Sequence, residues 1–434
     1  MDCNPGEHWQ EYFLEDYDAD ESANNLRLTG IKERFLSPDE NVLLSPVILG
    51  RKETGQACRD LQRLGQLLQE MPELFFHSDM TQWALALGYS SEQAAFLTGT
   101  LAGRPPAFGR WDILPSIEGW KIIEFNSGGA VSGLDCDAMQ DLYDVLLSEQ
   151  LAEYLAGHDV RGGNALDALG ELVAKLVAGR ELSDVVVVDD DQQYRNSPFS
   201  ADGAAQVLAR ILNRQVRVEV ASKFEPASKG VTLVFEVFTL RDVAARPELY
   251  HRYLSAVGRQ DVLSVNPLAT DLLMSKAGLA VLYEQARKGS LTPADQDLVL
   301  KYIPETYCVT SDLLAREGGF DREKWVLKAA IGYGGMEVFC GWEQTEARWQ
   351  ELLEEAANGE VLFVLQKRVQ PVKQTVVAMT PQGDFIERQE APVLGIFIRE
   401  GQFSGGLARA GIGNSAVVNA HNHAAVGVMR LEQE

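Results

Sequence analysis

Cysteine is scarce and scattered in this chain. Its five cysteines, Cys3, Cys58, Cys136, Cys308 and Cys340, lie far apart and show no paired spacing. That pattern excludes a disulfide framework and a zinc module, and it predicts reduced thiols. Long apolar runs are missing too: none approaches the roughly 18 residues of a membrane-spanning helix. The opening stretch MDCNPGEHWQEYFLEDYDADE is acidic and lacks the apolar segment of a signal peptide, so the chain reads as cytoplasmic. Basic residues are outnumbered, with 39 Lys and Arg against 63 Asp and Glu and a net charge of −24. So acidic a surface repels phosphate backbones and anionic lipid, which argues against nucleic acid and membranes as partners. It either draws a cationic substrate or simply keeps the chain soluble. Internal repeats and long low-complexity segments are absent as well.

What is present describes a soluble globular protein. Hydrophobic residues make up 46% of the 434 and charged residues 24%, and the length suggests two or three subdomains. Residues 1–103 read as a mostly helical region. GQACRDLQRLGQLLQEM and SSEQAAFLTGTLAG carry i, i+3, i+4 apolar spacing, with a break near Gly88 where a serine can cap the next helix. Residues 104–181 read as a hairpin followed by the helix DAMQDLYDVLLSEQLAEYLAG. Residues 182–265 alternate buried strand, loop, helix and strand, which predicts a small doubly wound α/β domain with parallel pairing. The tract Asp189, Asp190, Asp191 at the end of its first strand is either a ligand contact or a solvated loop. Residues 266–434 are mixed α and β. TDLLMSKAGLAVLYEQ reads as one helix, and the Pro-Gly turn of MTPQGDF joins strands QTVVAM and FIERQE. The fold class is α/β, or α+β.

The stretch GRWDILPSIEGWKIIEFNSGGA carries the first group of chemical interest. Side chains two apart on a strand share a face. A three-residue loop, Ile117-Glu118-Gly119, sets Ser116 opposite Trp120, Asp112 opposite Glu124 and Arg110 opposite Asn126. Trp111, Ile113, Ile123 and Phe125 then cover the other face, whereas a two-residue loop slips the register and separates the four polar groups. Asp112, Glu124 and Asn126 offer hard oxygen ligands suited to Mg²⁺, and Arg110 adds positive charge for a transferring phosphoryl group. A surface hairpin laced with salt bridges is the other reading.

A second group lies downstream. Lys328 ends the strand KWVLK, and Gly332, Tyr333, Gly334 and Gly335 form a loop whose backbone amides can approach phosphate oxygens. Such glycine turns between strands are also common without a ligand. Lys276 is a charged residue within an apolar helix, and Gln366 and Lys367 close the buried strand VLFVLQK. His421 and His423 in NAHNHAAVG either share a strand face as ligands of a metal hydrolase or belong to an ordinary polar strand end.

Together, SKAGLAVL, VLKAAIGYGG, VLQKRVQP and EFN resemble the ATP-grasp ligases. Glu124 and Asn126 precede Lys276 and Lys328, so the order is circularly permuted relative to most of that superfamily. It is similar to that of the synthetase domain of glutathionylspermidine synthase and its relatives. The resemblance runs from about Arg104 to the C-terminus. It implies ATP-grasp architecture with ATP and Mg²⁺ as cofactors, and amide or peptide bond formation through an acylphosphate. Asp112, Glu124 and Asn126 match the metal ligands and Arg110 the phosphoryl-stabilising arginine. Lys276 and Lys328 match the nucleotide lysines, and Gly332 to Gly335 match the lid loop. Gln366, Lys367 and Val369 fall on the adenine hinge, and Arg409 matches a late arginine that meets carboxylate or γ-phosphate. Ser127 and Gly128 stand where polyamine-type relatives carry a polar turn beside the acyl acceptor, so glutathione and spermidine do not follow. Small-molecule acids and amines (amino acid, peptide or polyamine) are the implied partners, and homo-oligomers stay open. A non-catalytic nucleotide-binding module of the same fold is the alternative.

Overall fold

The structure is a computed structural model describing residues 29, 40–99, 104–129, 131, 133–146, 159–196, 198–317, 320–332, 337–412, 418 and 424–433. Its strands, in chain order, begin with β1 (Asn41–Leu43), β2 (Val47–Leu49), β3 (Gly109–Ser116), β4 (Gly119–Ser127) and β5 (Val160–Gly162). Next come β6 (Leu182–Asp189), β7 (Arg217–Val220), β8 (Val231–Glu236) and β9 (Val262–Ser264). They are followed by β10 (Thr306–Cys308), β11 (Trp325–Ala329), β12 (Val338–Cys340) and β13 (Phe363–Lys367). The series closes with β14 (Gln374–Met379), β15 (Phe385–Glu390), β16 (Val393–Arg399), β17 (Gln402–Ala410) and β18 (Ala425–Glu432).

The strands form three sheets, giving a mixed α/β protein. The second group makes a four-stranded sheet in the order β7-β6-β8-β9, parallel throughout. Val185 to Val188 are at most 1% exposed, because helices cover both faces of the sheet and an uninterrupted β-branched run suits that burial. The acidic tract ends β6, and it is no solvated loop. Asp189 and Asp190 are buried. Asp190 accepts hydrogen bonds from the Tyr250 hydroxyl (2.6 Å), from Arg246 (2.7 Å) and from the amides of Gln192 and Gln193.

The third group forms an antiparallel sheet in the order β10-β13-β11-β12. Helix Glu346–Asn358 packs on one face, its stripe of Trp349, Leu352, Leu353 and Ala356 meeting Trp325, Leu327 and Leu365.

Both ends of the chain contribute to the largest sheet, of ten strands, ordered β15-β14-β1-β18-β17-β16-β3-β4, with β2 and β5 also on β18. The first hundred residues therefore supply more than helices. Arg51–Phe75, Met80–Ala86 and Ser91–Gly99 are helical, but β1 lies between β14 and β18 with Val42 and Leu43 fully buried. The break at Gly88 stands, and Ser90 caps the helix after it by accepting from the Gln93 amide (3.2 Å).

This sheet curls. β15 and β16 are five places apart in it, which would be about 24 Å on a flat sheet. Only Ala391 and Pro392 separate Glu390 from Val393, a span of at most about 11 Å. The Val372 amide also donates to the Pro115 carbonyl at 3.0 Å, joining the approach to β14 to the end of β3. A cavity of about 420 Å³ lies between the curl and the β10–β13 sheet. No helix among the described residues is long and apolar enough to cross a membrane.

Candidate active site

The hairpin β3–β4 forms the floor of the cavity. Its turn holds two residues, not three: Ser116 pairs with Gly119 and Pro115 with Trp120, and Gly119 takes φ +94°. Ile113 pairs with Ile122, yet the next rung joins Asp112 to Glu124, so Ile123 is a β-bulge. The extra residue restores the register that the short turn would have lost. Arg110 then pairs with Asn126, and both pairs line the cavity. Ile122, not Ile123, joins Trp111, Ile113 and Phe125 in the core, while Ile123 turns to the cavity wall.

Asp112 is the centre of a buried charge cluster. Its side chain is 1% exposed, and Arg110 grips it with Nε on Oδ1 at 2.7 Å and Nη2 on Oδ2 at 3.2 Å. Arg409, arriving from β17, donates to the same Oδ2, and Asn126 Nδ2 adds a bond at 3.0 Å. Gly395 of β16 pairs with Asp112 and makes room for this arrangement. A Cβ there would lie 2.6 Å from Arg110 Cδ.

Glu124 and two lysines form the adjoining cluster. Lys276 Nζ lies 3.3 Å from Glu124 Oε2, and Asn126 donates to Oε1 at 3.2 Å. Lys276 does not sit inside a helix: the helical stretch breaks at Ser275, whose hydroxyl accepts from the Ala277 amide, and Lys276 opens the helix Lys276–Arg287. Its backbone amide donates to Ala330 just past β11, which ties that helix to the strand carrying Lys328. Lys328 Nζ donates to Gln366 Oε1 (2.7 Å) and to the carbonyl of the bulged Ile123 (3.2 Å). Burial pushes the Glu124 carboxyl up, but Lys276, Lys328 and the Asn126 amide together outweigh it and hold the acid well below its ordinary range. Burial pulls the Lys328 ammonium down to about 8, against the opposing pull of Glu124.

The donor set fits a divalent cation in part. Glu124 is half-exposed to the cavity, and the Asn126 amide uses its nitrogen on the two carboxylates, leaving its oxygen for a cation. Asp112 does not fit, since both its oxygens are bonded to guanidinium groups. Among the described residues, no group of three His, Cys, Asp or Glu side chains is arranged to hold a metal.

The other singled-out residues are distributed as follows. Gln366 and Val369 line the cavity, with the Gln366 amide held between Lys328 and Thr306. Lys367 lines it too, though its ammonium pairs with Glu305 at 2.8 Å. Ser127 and Gly128 are not on the wall. The Ser127 hydroxyl is buried and donates to the Phe108 carbonyl (2.7 Å), and Gly128, at φ +87°, backs onto Asp271. Gly332 does not line the cavity either, and a Cβ there would lie 3.7 Å from a Glu337 carboxylate oxygen. Tyr333, Gly334, Gly335, His421 and His423 lie outside the described residues.

No protein-family model matches the chain, and no curated protein matches it. Among solved structures, a glutathione synthetase-like effector from Globodera pallida, in its apo form, superimposes with a TM-score of 0.55. The match covers 95% of this chain and 96% of that one at 14% identity. The chain shares the fold of that effector. A candidate γ-glutamylcysteine synthetase from Methylobacillus flagellatus aligns at a TM-score of 0.42 and 12% identity, covering 87% of this chain and 88% of that one.

Sequence reasoning missed several cavity residues. Trp342 forms part of the wall with the Arg368 guanidinium stacked 3.9 Å above its ring, and Lys373 and Glu390 line the cavity as well. Trp342 follows β12, and the only signal for it was an aromatic beside a strand that pairs with the Lys328 strand. Among the described residues seven basic side chains line the cavity (Arg110, Lys276, Lys328, Lys367, Arg368, Lys373 and Arg409) against Asp112, Glu124 and Glu390. In a chain of net charge −24 this is a local reversal of sign.

Proposed function

We propose that the chain is an ATP-dependent carboxylate–amine ligase of circularly permuted ATP-grasp type, resembling the synthetase domain of glutathionylspermidine synthase. The observation that supports it most is the basic cavity within a strongly acidic protein, which suits a polyanion such as a nucleoside triphosphate. The shared fold with a glutathione synthetase-like effector adds to this. In this reading Lys276 and Lys328 take the phosphates, while Val326, Val338 and Val369 with Trp342 bound an apolar slot for the base. A magnesium ion carried by the nucleotide would meet Glu124 and Asn126, and it would neutralise charge on the phosphates.

The reaction follows from that placement. A carboxylate oxygen of the acid attacks the γ-phosphorus, the bond to the β–γ bridging oxygen breaks, and ADP leaves with an acylphosphate formed. The amine nitrogen then attacks the acyl carbon, the carbon–oxygen bond to phosphate breaks, and phosphate departs with the amide formed and one amine proton released. Arg110 and Arg409, both held by Asp112, present fixed positive charge where negative charge develops. Small-molecule acids and amines are thus the partners, in a cytoplasmic setting.

One observation favours a second reading. Asp112 is already occupied by two arginines, which leaves fewer metal ligands than the resemblance implies and suits a nucleotide-binding module without catalysis. ADP release from Mg-ATP, followed against panels of acids and amines with Asn126→Ala as control, separates the two. The ligase reading expects ADP and phosphate only with a particular acid and amine, and a loss of about a hundredfold or more in the variant. AMP and pyrophosphate would replace the acylphosphate route with adenylation. Nucleotide binding without turnover across the panels would leave the module.

A further inference from the structure

Of the three acids that line the cavity among the described residues, two already hold partners. Asp112 is bonded to Arg110, Arg409 and Asn126, and Glu124 to Lys276 and Asn126. The third, Glu390, is half-buried and lines the cavity, yet its carboxylate has no ion pair or hydrogen bond to any described residue. A lone carboxylate facing so many basic groups ordinarily recruits one of them, and this one does not. Glu390 ends the edge strand β15, where it pairs with Gln374, and the short Ala391-Pro392 step then carries the chain across the curl to Val393. Val393 pairs in turn with Arg409. Glu390 is thereby held within three residues of the strand rung that bears Arg409, on the curled sheet, whereas Lys328 is carried by the β10–β13 sheet.

We infer that Glu390 is the recognition group for the amine substrate, holding a primary ammonium at the curled-sheet wall of the cavity. The inference rests on the ligase reading given above. That reaction brings together two substrates of opposite charge. ATP and the acid are anions served by the basic wall, whereas an alkyl or α-amino group arrives as a cation that this wall repels. Among the described residues of the wall, Glu390 is the acid without a partner, able to offset that repulsion and orient the nitrogen, whose ammonium gives up one proton to solvent before the free amine attacks. It follows that acceptors carrying a primary ammonium are preferred to amides, alcohols or thiols of similar size.

Hydroxylamine separates this inference from the reading on which it rests, because it is largely uncharged near pH 7 and intercepts an acylphosphate as a hydroxamate without needing an ammonium subsite. Wild type and Glu390→Gln are assayed with Mg-ATP and pooled amino acids, their N-acetyl forms and γ-glutamyl dipeptides as acids. The acceptor is either hydroxylamine or a pool of amino acids and diamines. The expected result is equal hydroxamate formation by both proteins, with KM for the amine raised about tenfold or more in Glu390→Gln and KM for ATP unchanged. Glu390→Asp should recover part of the loss, which a merely structural role for the side chain would not predict. Equal amide formation and equal amine KM in wild type and Glu390→Gln would overturn the assignment of Glu390 and leave the ligase standing. Wild type that binds ATP but forms no hydroxamate would overturn the ligase reading and this inference with it.

Discussion

Replacing Asp112 with asparagine tests the central claim about this site, that the carboxylate holds two arginines before any ligand arrives. The substitution keeps the shape and removes the charge. Asp112 is 1% exposed while the Arg110 and Arg409 side chains are 18% and 14% exposed, so little solvent screens the loss. Breaking one partner out of a buried ion pair costs about 3–5 kcal/mol. The asparagine oxygen still accepts one hydrogen bond, which places the expected loss near the lower end, about 3 kcal/mol. Because the protein has several sheets and need not unfold in one step, the readout should be local. Hydrogen exchange at the amides of β3, β4 and β17 ought to quicken by roughly a hundredfold, about 1.4 kcal/mol corresponding to a factor of ten. Adding Arg409→Gln to Asp112→Asn should recover part of the protection, since one uncompensated guanidinium is then gone. Were Asp112 instead held ready for a metal, its main partner in the free protein would be the repelling Glu124, and Asp112→Asn would stabilise the hairpin. Unchanged or slower exchange in Asp112→Asn would therefore refute the clamp.

Two further outcomes follow from the same geometry. Lys328 titrates near 8 because it is buried, well below the ordinary lysine value of about 10.4. Below pH 8 both folded and unfolded chains carry the charge. Between about 8 and 10.4 the unfolded chain holds more protons, so apo stability should rise with pH across that window. Nucleotide binding should move the other way: calorimetric affinity for Mg-ATP should fall as pH rises through about 8, and Lys328→Arg should flatten the profile. A flat wild-type profile would refute the proposed contact between Lys328 and phosphate. Gly395→Ala sets a Cβ 2.6 Å from Arg110 Cδ and 2.9 Å from Nε, displacing the guanidinium that Asp112 holds. The overpacking should destabilise by about 1–3 kcal/mol. The rate of ADP release should fall on the order of a hundredfold with ATP affinity little changed. An active Gly395→Ala protein would mean that the position of Arg110 is not critical.

Legibility in the sequence tracked the range of the interaction. The strands QTVVAM and FIERQE coincide with β14 and β15, because alternation and a Pro-Gly turn act within a dozen residues. Val185 to Val188 form a buried parallel strand, because four β-branched residues in a row suit no other element as well. By contrast, β1 and β2 have three residues each, too few to show any period, and their place in the sheet depends on β14 and β18 near the other end of the chain. The burial of Asp190 depends on Arg246 and Tyr250, more than fifty residues away. The pairing of Arg409 with Asp112 spans 297 positions, and no local pattern signals it.

The hairpin shows what a local pattern does constrain. Without a bulge, Glu124 and Asn126 would share a face with Trp120 and Ile122, and two polar groups would enter the core. The turn chemistry of Ser116–Gly119 favours two residues, while the polar and apolar alternation of Arg110, Trp111, Asp112, Phe125 and Asn126 demands the register of a three-residue loop. Both demands are met by inserting one residue at Ile123, where extra length is cheapest because its side chain reaches the cavity and not the core. The loop length was thus free to differ from expectation, and the pairing of Asp112 with Glu124 was not. The bulge also contributes directly to the site. By turning its carbonyl toward Lys328, Ile123 gives the buried ammonium an acceptor beside Gln366. The residue that corrects the register therefore also helps hold a charged group of the cavity in place.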